Sequence, residues 1–158
     1  MTTPFPAFEN VWSEMEKRIF KVENQPDFER CFPVVKELRP HLTFDDFVSI
    51  YEEAKKANGY QLVAAEVQGE IAAVLGYRVL WDFVRGKYIY IDDLVSTKAK
   101  RSEGLGRELL EFAEEVARST GCTSLRLCAV IENERAIHFY ERLGWTKRSF
   151  AYTKKLTP

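Results

Sequence analysis

The run Lys100-Arg101-Ser102-Glu103-Gly104-Leu105-Gly106-Arg107-Glu108-Leu109-Leu110 sets two glycines one residue apart where a helical pattern begins, with basic residues on both sides. The first amides of a helix have no partner within it and point outward, and the aligned peptide dipoles make that end partly positive. Glycines let an anion approach the backbone without meeting a Cβ. Arg101 and Arg107 add charge and donors, so this spacing offers the binding of a phosphate-type anion; a tight loop with nothing bound is the plainer alternative. Competing phosphate motifs do not fit. No Gly-Lys-Ser/Thr is present, and Leu109 stands where a dinucleotide fingerprint needs Gly or Ala. A second candidate is the acid pair Asp92-Asp93 near the end of "KYIYIDDLV". Acids at a strand end suit proton transfer beside an α/β site, or are plain solvated charge. Adjacent strand residues face opposite sides of a sheet, so only one of the two is expected to face a given cleft.

Hydrophobic periods supply the elements that must hold these groups. Residues 1–15 carry two prolines and no clear period, and read as an irregular arm. "RIFKVEN" alternates as a strand. Phe28, Cys31, Phe32, Val35 and Leu38 mark a helix, which Pro33 is expected to start late or kink. Thr43 and Asp46 form an N-cap pair for a second helix carrying Phe44, Phe47, Val48, Tyr51 and Ala54, stopped at Asn58-Gly59. "YQLVAAEV" and "EIAAVLGYRVLW" are strands joined at Gln68-Gly69, a hairpin signal. "KYIYIDDLV" is a third strand in succession. Leu105, Leu109, Phe112, Ala113 and Val116 form the stripe of the helix after the glycine loop, with Gly121 as its stop. "SLRLCAVI" is a strand, "NERAIHFYERLG" a helix capped by Asn133, and "WTKRSFAYTKKL" closes as one or two strands. The order β-α-α-β-β-β-α-β-α-β(β) is mixed α/β with an antiparallel meander leading into a βαβ unit.

With these elements in place, "RSEGLG" resembles the Arg/Gln-x-x-Gly-x-Gly/Ala loop of the GNAT superfamily of acyl-CoA N-acyltransferases. "YIDDLVS" resembles that family's fourth strand, "EVQGEIAAVLGYRV" its second and third, and "NERAIHFYERLGW" its late Asn-x-x-Ala-x-x-Phe-Tyr helix. The match runs over roughly residues 18 to 155 in the family's order. Ser102 replaces the usual glycine after the arginine, and Pro33 is atypical for the first helix. The resemblance implies a single-domain GNAT-like fold, with an N-acetyltransferase domain over residues 16–158. It also implies transfer of the acetyl group of acetyl-CoA to a primary amine by direct attack in a ternary complex.

In that reading the backbone from Arg101 through Ser102, Glu103, Gly104, Leu105 and Gly106 to Arg107 holds the pyrophosphate of coenzyme A. Glu103 has to point away from the phosphates. A backbone amide of Leu94, Val95 or Ser96 faces the thioester oxygen, with ordinary strand pairing as the alternative. Tyr140 takes the family's general-acid position, its ordinary pKa of about 10 suiting a donor that keeps its proton; core packing is the plain alternative. Asn133 caps its helix and borders the pantetheine arm with Ala136. Arg142 reaches the nucleotide end or is solvated. Asp92 aligns with an acid of polyamine acetyltransferases and is taken as the base or its water relay, and Asp93 is expected to pair near a helix. His41 and His138 read as structural or solvated, His41 lying in the acceptor-side loop. Phe44, Tyr51, Tyr77, Trp81 and Phe83 are candidate walls of the acceptor cleft, most of them core.

The bulk numbers bound these readings. A chain of 158 residues with 46% hydrophobic and 30% charged residues suits one globular domain. A formal net charge of -1 gives no electrostatic case for nucleic acid or an anionic membrane. Cys31, Cys122 and Cys128 form neither a disulfide framework nor a metal motif, and no metal is expected; Cys122 and Cys128 read as buried free thiols. "MTTPFPAFENVW" lacks the pattern of a signal peptide, and no apolar run approaches the ~18 residues of a membrane span. The cytoplasm is the expected compartment. Acids at Asp82, Asp92 and Asp93 suggest a cationic acceptor, a small amine or a peptide lysine. The aromatic C-terminal segment suggests a homodimer. A non-catalytic acyl-CoA-binding sensor or interaction module remains the alternative reading.

Overall fold

The computed structural model describes residues 16–101 and 103–157. The arm assigned to residues 1–15, and Ser102 within the glycine loop, lie outside the described residues. The chain divides into two compact units, Met1–Arg126 and Leu127–Pro158.

The first unit carries β1 (Lys17–Lys21), α1 (Gln25–Leu38), α2 (Phe44–Asn58), β2 (Gln61–Val67), β3 (Glu70–Asp82), β4 (Gly86–Ser96), a 3-10 turn (Lys98–Lys100), α3 (Leu105–Ser119) and the start of β5 (Ser124–Leu127). The sheet order is β1-β2-β3-β4-β5, and the first four strands pair antiparallel. The meander follows from short turns. Gln68 and Gly69 have φ of 52° and 82°, and two successive positive φ values match the twist of a tight hairpin. The β3–β4 turn is fastened by Asp82, whose Oδ1 accepts from the amides of Val84 (2.9 Å) and Arg85 (2.6 Å).

The helices begin where local chemistry starts them. Asn24 Oδ1 accepts from Asp27 N–H at 3.0 Å and caps α1. Thr43 and Asp46 form a reciprocal capping box at α2, which ends at Gly59 in the left-handed region. Pro33 neither delays nor breaks α1, which runs continuously from Gln25 to Leu38. Buried Phe28, Cys31, Val34 and Val35 anchor the turns around it, and tertiary packing of that face outweighs the backbone bond that proline cannot make.

Both faces of the sheet are covered. Val22, Leu62, Ala64, Val74 and Val95 pack with Phe28, Phe47 and Tyr51 of α1 and α2. Phe28 meets Phe47 and Tyr51 edge-on at 5.8 and 4.7 Å. The opposite parity, Val63, Ala65, Leu75, Ile89 and Ile91, is also buried. α3 packs on β3 and β4 there, burying Leu105, Leu109, Leu110, Phe112, Ala113, Val116 and Ala117.

A bulge interrupts β4. Tyr77 is opposite Ile91 and Gly76 is opposite Asp93, which leaves Asp92 as an extra residue. The parity of β4 therefore changes at Asp92. Tyr90 lies opposite Arg78, and Asp93 opposite Gly76. Arg78 and Gly76 share the face of β3 that carries Val74, packed against α1 and α2. Asp92, two residues after Tyr90, and Asp93 thus lie on one face. The expectation that adjacent acids face opposite sides fails here because strand alternation holds only in an unbulged ladder.

The second unit contains α4 (Glu134–Arg142), and among the described residues no strand follows β5. The closing strand or strands expected from "WTKRSFAYTKKL" are not formed among the described residues. Thr146 to Thr157 are all exposed, and an alternating pattern without a ladder partner has nothing to hold it extended. β5 is likewise shorter than "SLRLCAVI", with Val130 and Ile131 exposed. The mixed α/β order up to α4 stands as read. Among the described residues no cysteine is in a disulfide; Cys31 is buried, while Cys122 and Cys128, expected to be buried, are intermediate and exposed, because the strand pattern around them is not completed as a ladder.

Candidate active site

The glycine loop follows directly from β4. After the 3-10 turn the chain reaches Gly104, whose φ of 82° and ψ of 0° make it the left-handed N-cap of α3. A side chain is strained at that angle, so Gly104 is set by the turn itself. Gly106 lies inside the first turn of α3 and is absent from the positive-φ residues, so backbone geometry does not demand a glycine there. The first helical bond is Glu108 N–H to Gly104 C=O at 3.0 Å, leaving the amides of Leu105, Gly106 and Arg107 at the open end. Glu103 is turned toward Lys100, 3.6 Å away. Arg107 leans along the helix to Glu111 at 2.8 Å.

The C-terminal turn of α1 braces this loop. Glu37 Oε2 accepts from Lys98 N–H at 3.1 Å and sits 3.9 Å from Arg101 Nη2. Arg39, the residue after α1, donates through Nε and Nη2 to Asp93 Oδ1 at 3.0 and 2.9 Å, and through Nη2 to the carbonyl of Asp92 at 3.3 Å. Asp93 thus pairs at a helix end, as its position suggested.

Leu94, Val95 and Ser96 pair with Leu75, Val74 and Ala73 of β3. Their other edge faces the side of β5. Thr123 N–H bonds Lys87 O at 2.9 Å, so β5 enters near the start of β4. Four residues of strand at about 3.3 Å each fall short of Leu94. β5 therefore does not extend along Leu94–Ser96.

Every carboxylate oxygen of the acid pair holds at least one donor. Arg78 grips Asp92 with Nε to Oδ2 at 2.8 Å and Nη2 to Oδ1 at 2.7 Å. Tyr60 donates its hydroxyl to Asp93 Oδ2 at 2.7 Å. Burial, reinforced by the charge of Asp93, pushes the Tyr60 phenol well above its ordinary value. Gly76 makes that contact possible: a Cβ there would stand 1.8 Å from Tyr60 Oη and 3.1 Å from Asp93 Oδ2. Tyr60, Arg39 and Gly76 were not singled out in the sequence. A lone glycine within a strand pattern was the available signal, since it marks a bulge or a close approach.

These groups border a cavity of about 390 Å³ between α1, α2 and the sheet. Of the aromatic residues expected to wall an acceptor cleft, Tyr51 lines it. Tyr77 is buried on the opposite parity, while Trp81 and Phe83 are exposed at the β3–β4 tip; Phe44 packs on Phe32 at 5.4 Å. His41 does border the cavity.

Within the second unit, Asn133 Oδ1 accepts from Ala136 N–H at 3.1 Å and caps α4, which commits the Ala136 amide. Tyr140 is half-buried, its ring 5.2 Å from Phe139 and 5.7 Å from Trp145. Burial pushes its phenol up to about 12. Arg142 is exposed in the last helical turn.

A model of the acetyltransferase (GNAT) family matches residues 21–145. The chain belongs to this family. The uncharacterized N-acetyltransferase YhdJ of Bacillus subtilis is 27% identical over 135 residues, covering 85% of this chain and 95% of the relative. The thialysine N-epsilon-acetyltransferase of Bos taurus is 28% identical over 70% of this chain and 74% of its own length. Among solved structures, aminoglycoside N-acetyltransferase AAC(6')-Iy in complex with CoA superposes with a TM-score of 0.77 at 19% identity, covering 93% of this chain and all of that one. This GNAT chain is an acyltransferase that uses acetyl-CoA to acetylate an amine.

Proposed function

We propose that the first turn of α3 holds the pyrophosphate of acetyl-CoA and that a small-molecule or peptide amine attacks the thioester directly within a ternary complex. The observation that carries this reading is the division of labour between the two glycines: Gly104 is required by its φ of 82°, while Gly106 leaves the opening amides of the helix bare of a side chain. The amides of Leu105, Gly106 and Arg107 face the phosphates, with Arg101, Ser102 and Glu103 completing the loop. An amide among Leu94, Val95 and Ser96 takes the thioester oxygen as charge develops on it.

The amine nitrogen then forms a bond to the carbonyl carbon and the carbon–sulfur bond breaks. The amine gives up its proton to Asp92 directly or through a water relay; each Asp92 oxygen holds one Arg78 N–H and has room for one more donor. Tyr140 gives its proton to the departing sulfur; a phenol pushed up to about 12 retains that proton at neutral pH. Asn133, Ala136 and Arg142 border the pantetheine and nucleotide portions. Cysteines outside any disulfide among the described residues support a reducing, cytoplasmic setting. Among the described residues no helix is long and apolar enough to cross a membrane. Exposed Phe150 and Tyr152 support a homodimer.

Calorimetric titration with acetyl-CoA of the native protein and of Gly106→Glu tests the loop. A glutamate in the first turn suits the helix dipole but opposes a pyrophosphate. The expected result is an unchanged melting temperature with affinity at least tenfold weaker. Equal affinity would remove the loop from the cofactor site.

A further inference from the structure

Resting on acetyl transfer as the activity, we infer that the cavity between α1, α2 and the sheet is the acceptor pocket, and that it selects a single amine carried on an apolar alkyl or aryl body rather than a polyamine. Its volume of about 390 Å³ falls in the range of small-molecule sites. Its walls include Leu38, Leu42, Phe47, Ile50 and Val95, and its side chains with polar atoms are Arg39, His41, Tyr51, Tyr60 and Asp93, the Tyr51 hydroxyl being committed to the Val22 carbonyl.

Charge decides the class. The carboxylates that suggested a cationic acceptor are each neutralised by a guanidinium: Asp82 by Arg85 at 2.5 Å, Asp92 by Arg78 at 2.7 Å and Asp93 by Arg39 at 2.9 Å. Of the groups lining the cavity, Arg39 and Asp93 cancel and His41 can add only positive charge. A polycation entering this space would lose its hydration without finding matching carboxylates. One amine is accommodated. Asp93 Oδ1 is taken by two Arg39 donors and Oδ2 by Tyr60, and a carboxylate oxygen accepts two hydrogen bonds, so Oδ2 retains room for one N–H. The remainder of the acceptor would lie against leucine, isoleucine and phenylalanine side chains, where an apolar body gains most.

The test measures acetyl-CoA binding by calorimetry and CoA release with a thiol reagent, using 2-phenylethylamine, n-hexylamine, spermidine and lysine as acceptors. The expected result is a kcat/KM for the two apolar amines at least tenfold above that for spermidine or lysine. Ala54→Leu narrows the cavity from α2 with a helix-favouring residue. It should raise KM for 2-phenylethylamine at least tenfold and leave acetyl-CoA affinity unchanged. Preference for spermidine or lysine with acetyl-CoA still bound would overturn the inference and leave acetyl transfer standing. So would failure of all four amines to turn over. An apolar preference untouched by Ala54→Leu would move the pocket elsewhere. Absence of acetyl-CoA binding would overturn the activity itself, and this inference with it.

Discussion

Gly76→Ala destabilises the protein by about 3–5 kcal/mol, the sum of overpacking a filled site and losing a hydrogen bond to a charged group. The added Cβ would stand 1.8 Å from Tyr60 Oη and 2.5 Å from Tyr60 Cζ. Tyr60 has no easy retreat, because its ring meets Tyr51 edge-on at 6.0 Å and its hydroxyl is committed to Asp93. Urea unfolding measures the loss. The same substitution in a Tyr60→Ala background should cost under about 1 kcal/mol, since the clash is gone. An equal cost in both backgrounds would mean that the glycine serves the bulge alone. Tyr60 also sets a pH dependence. Its folded pKa is raised above the unfolded value of about 10, so its contribution is complete below that value. Stability declines as pH rises past about 10, where only the unfolded chain ionises.

Tyr140→Phe is expected to lower kcat by about 100- to 1,000-fold while KM for acetyl-CoA changes little, as removal of a general acid does. Phenylalanine keeps the ring contacts with Phe139 and Trp145, so the loss reports the proton rather than the packing. Because burial pushes this phenol up to about 12, its ionisation imposes no alkaline limb on kcat below about pH 11. A change in kcat smaller than threefold in steady-state assays would reduce Tyr140 to a packing residue.

What the sequence made readable was whatever depends on near neighbours. The Thr43–Asp46 capping box and the Gln68-Gly69 turn are set within four residues, and their side-chain types announce them. The turn at the start of α3 was readable for the same reason, although backbone geometry demands only Gly104 of its two glycines. The acid pair was not. Whether Asp92 and Asp93 share a face depends on how β4 pairs with β3, and that pairing carries an extra residue invisible to any period of two. Tyr60, Gly76 and Asp93 meet only after β2, β3 and β4 align, with 33 positions separating the hydrogen-bonded pair. Neutralisation of the acids was equally hidden, because Arg39 reaches Asp93 from 54 positions away. The alternation in "WTKRSFAYTKKL" misled in the opposite direction: a local pattern permits a strand, but a neighbour has to complete it.

The extra residue in β4 works like a slipped tooth on a gear. Up to Ile91 the odd-numbered residues share the side of Leu75 and Tyr77; from Asp93 onward odd numbers share the side of Gly76 and Val74. Deleting Asp92 would restore an even mesh, and in doing so it would carry Leu94 through Ser96 around by half a turn. The amide edge proposed for the thioester and the wall that Val95 gives the cavity are thus indexed by one inserted position. A ruler laid along this strand therefore needs two origins, one on each side of Asp92.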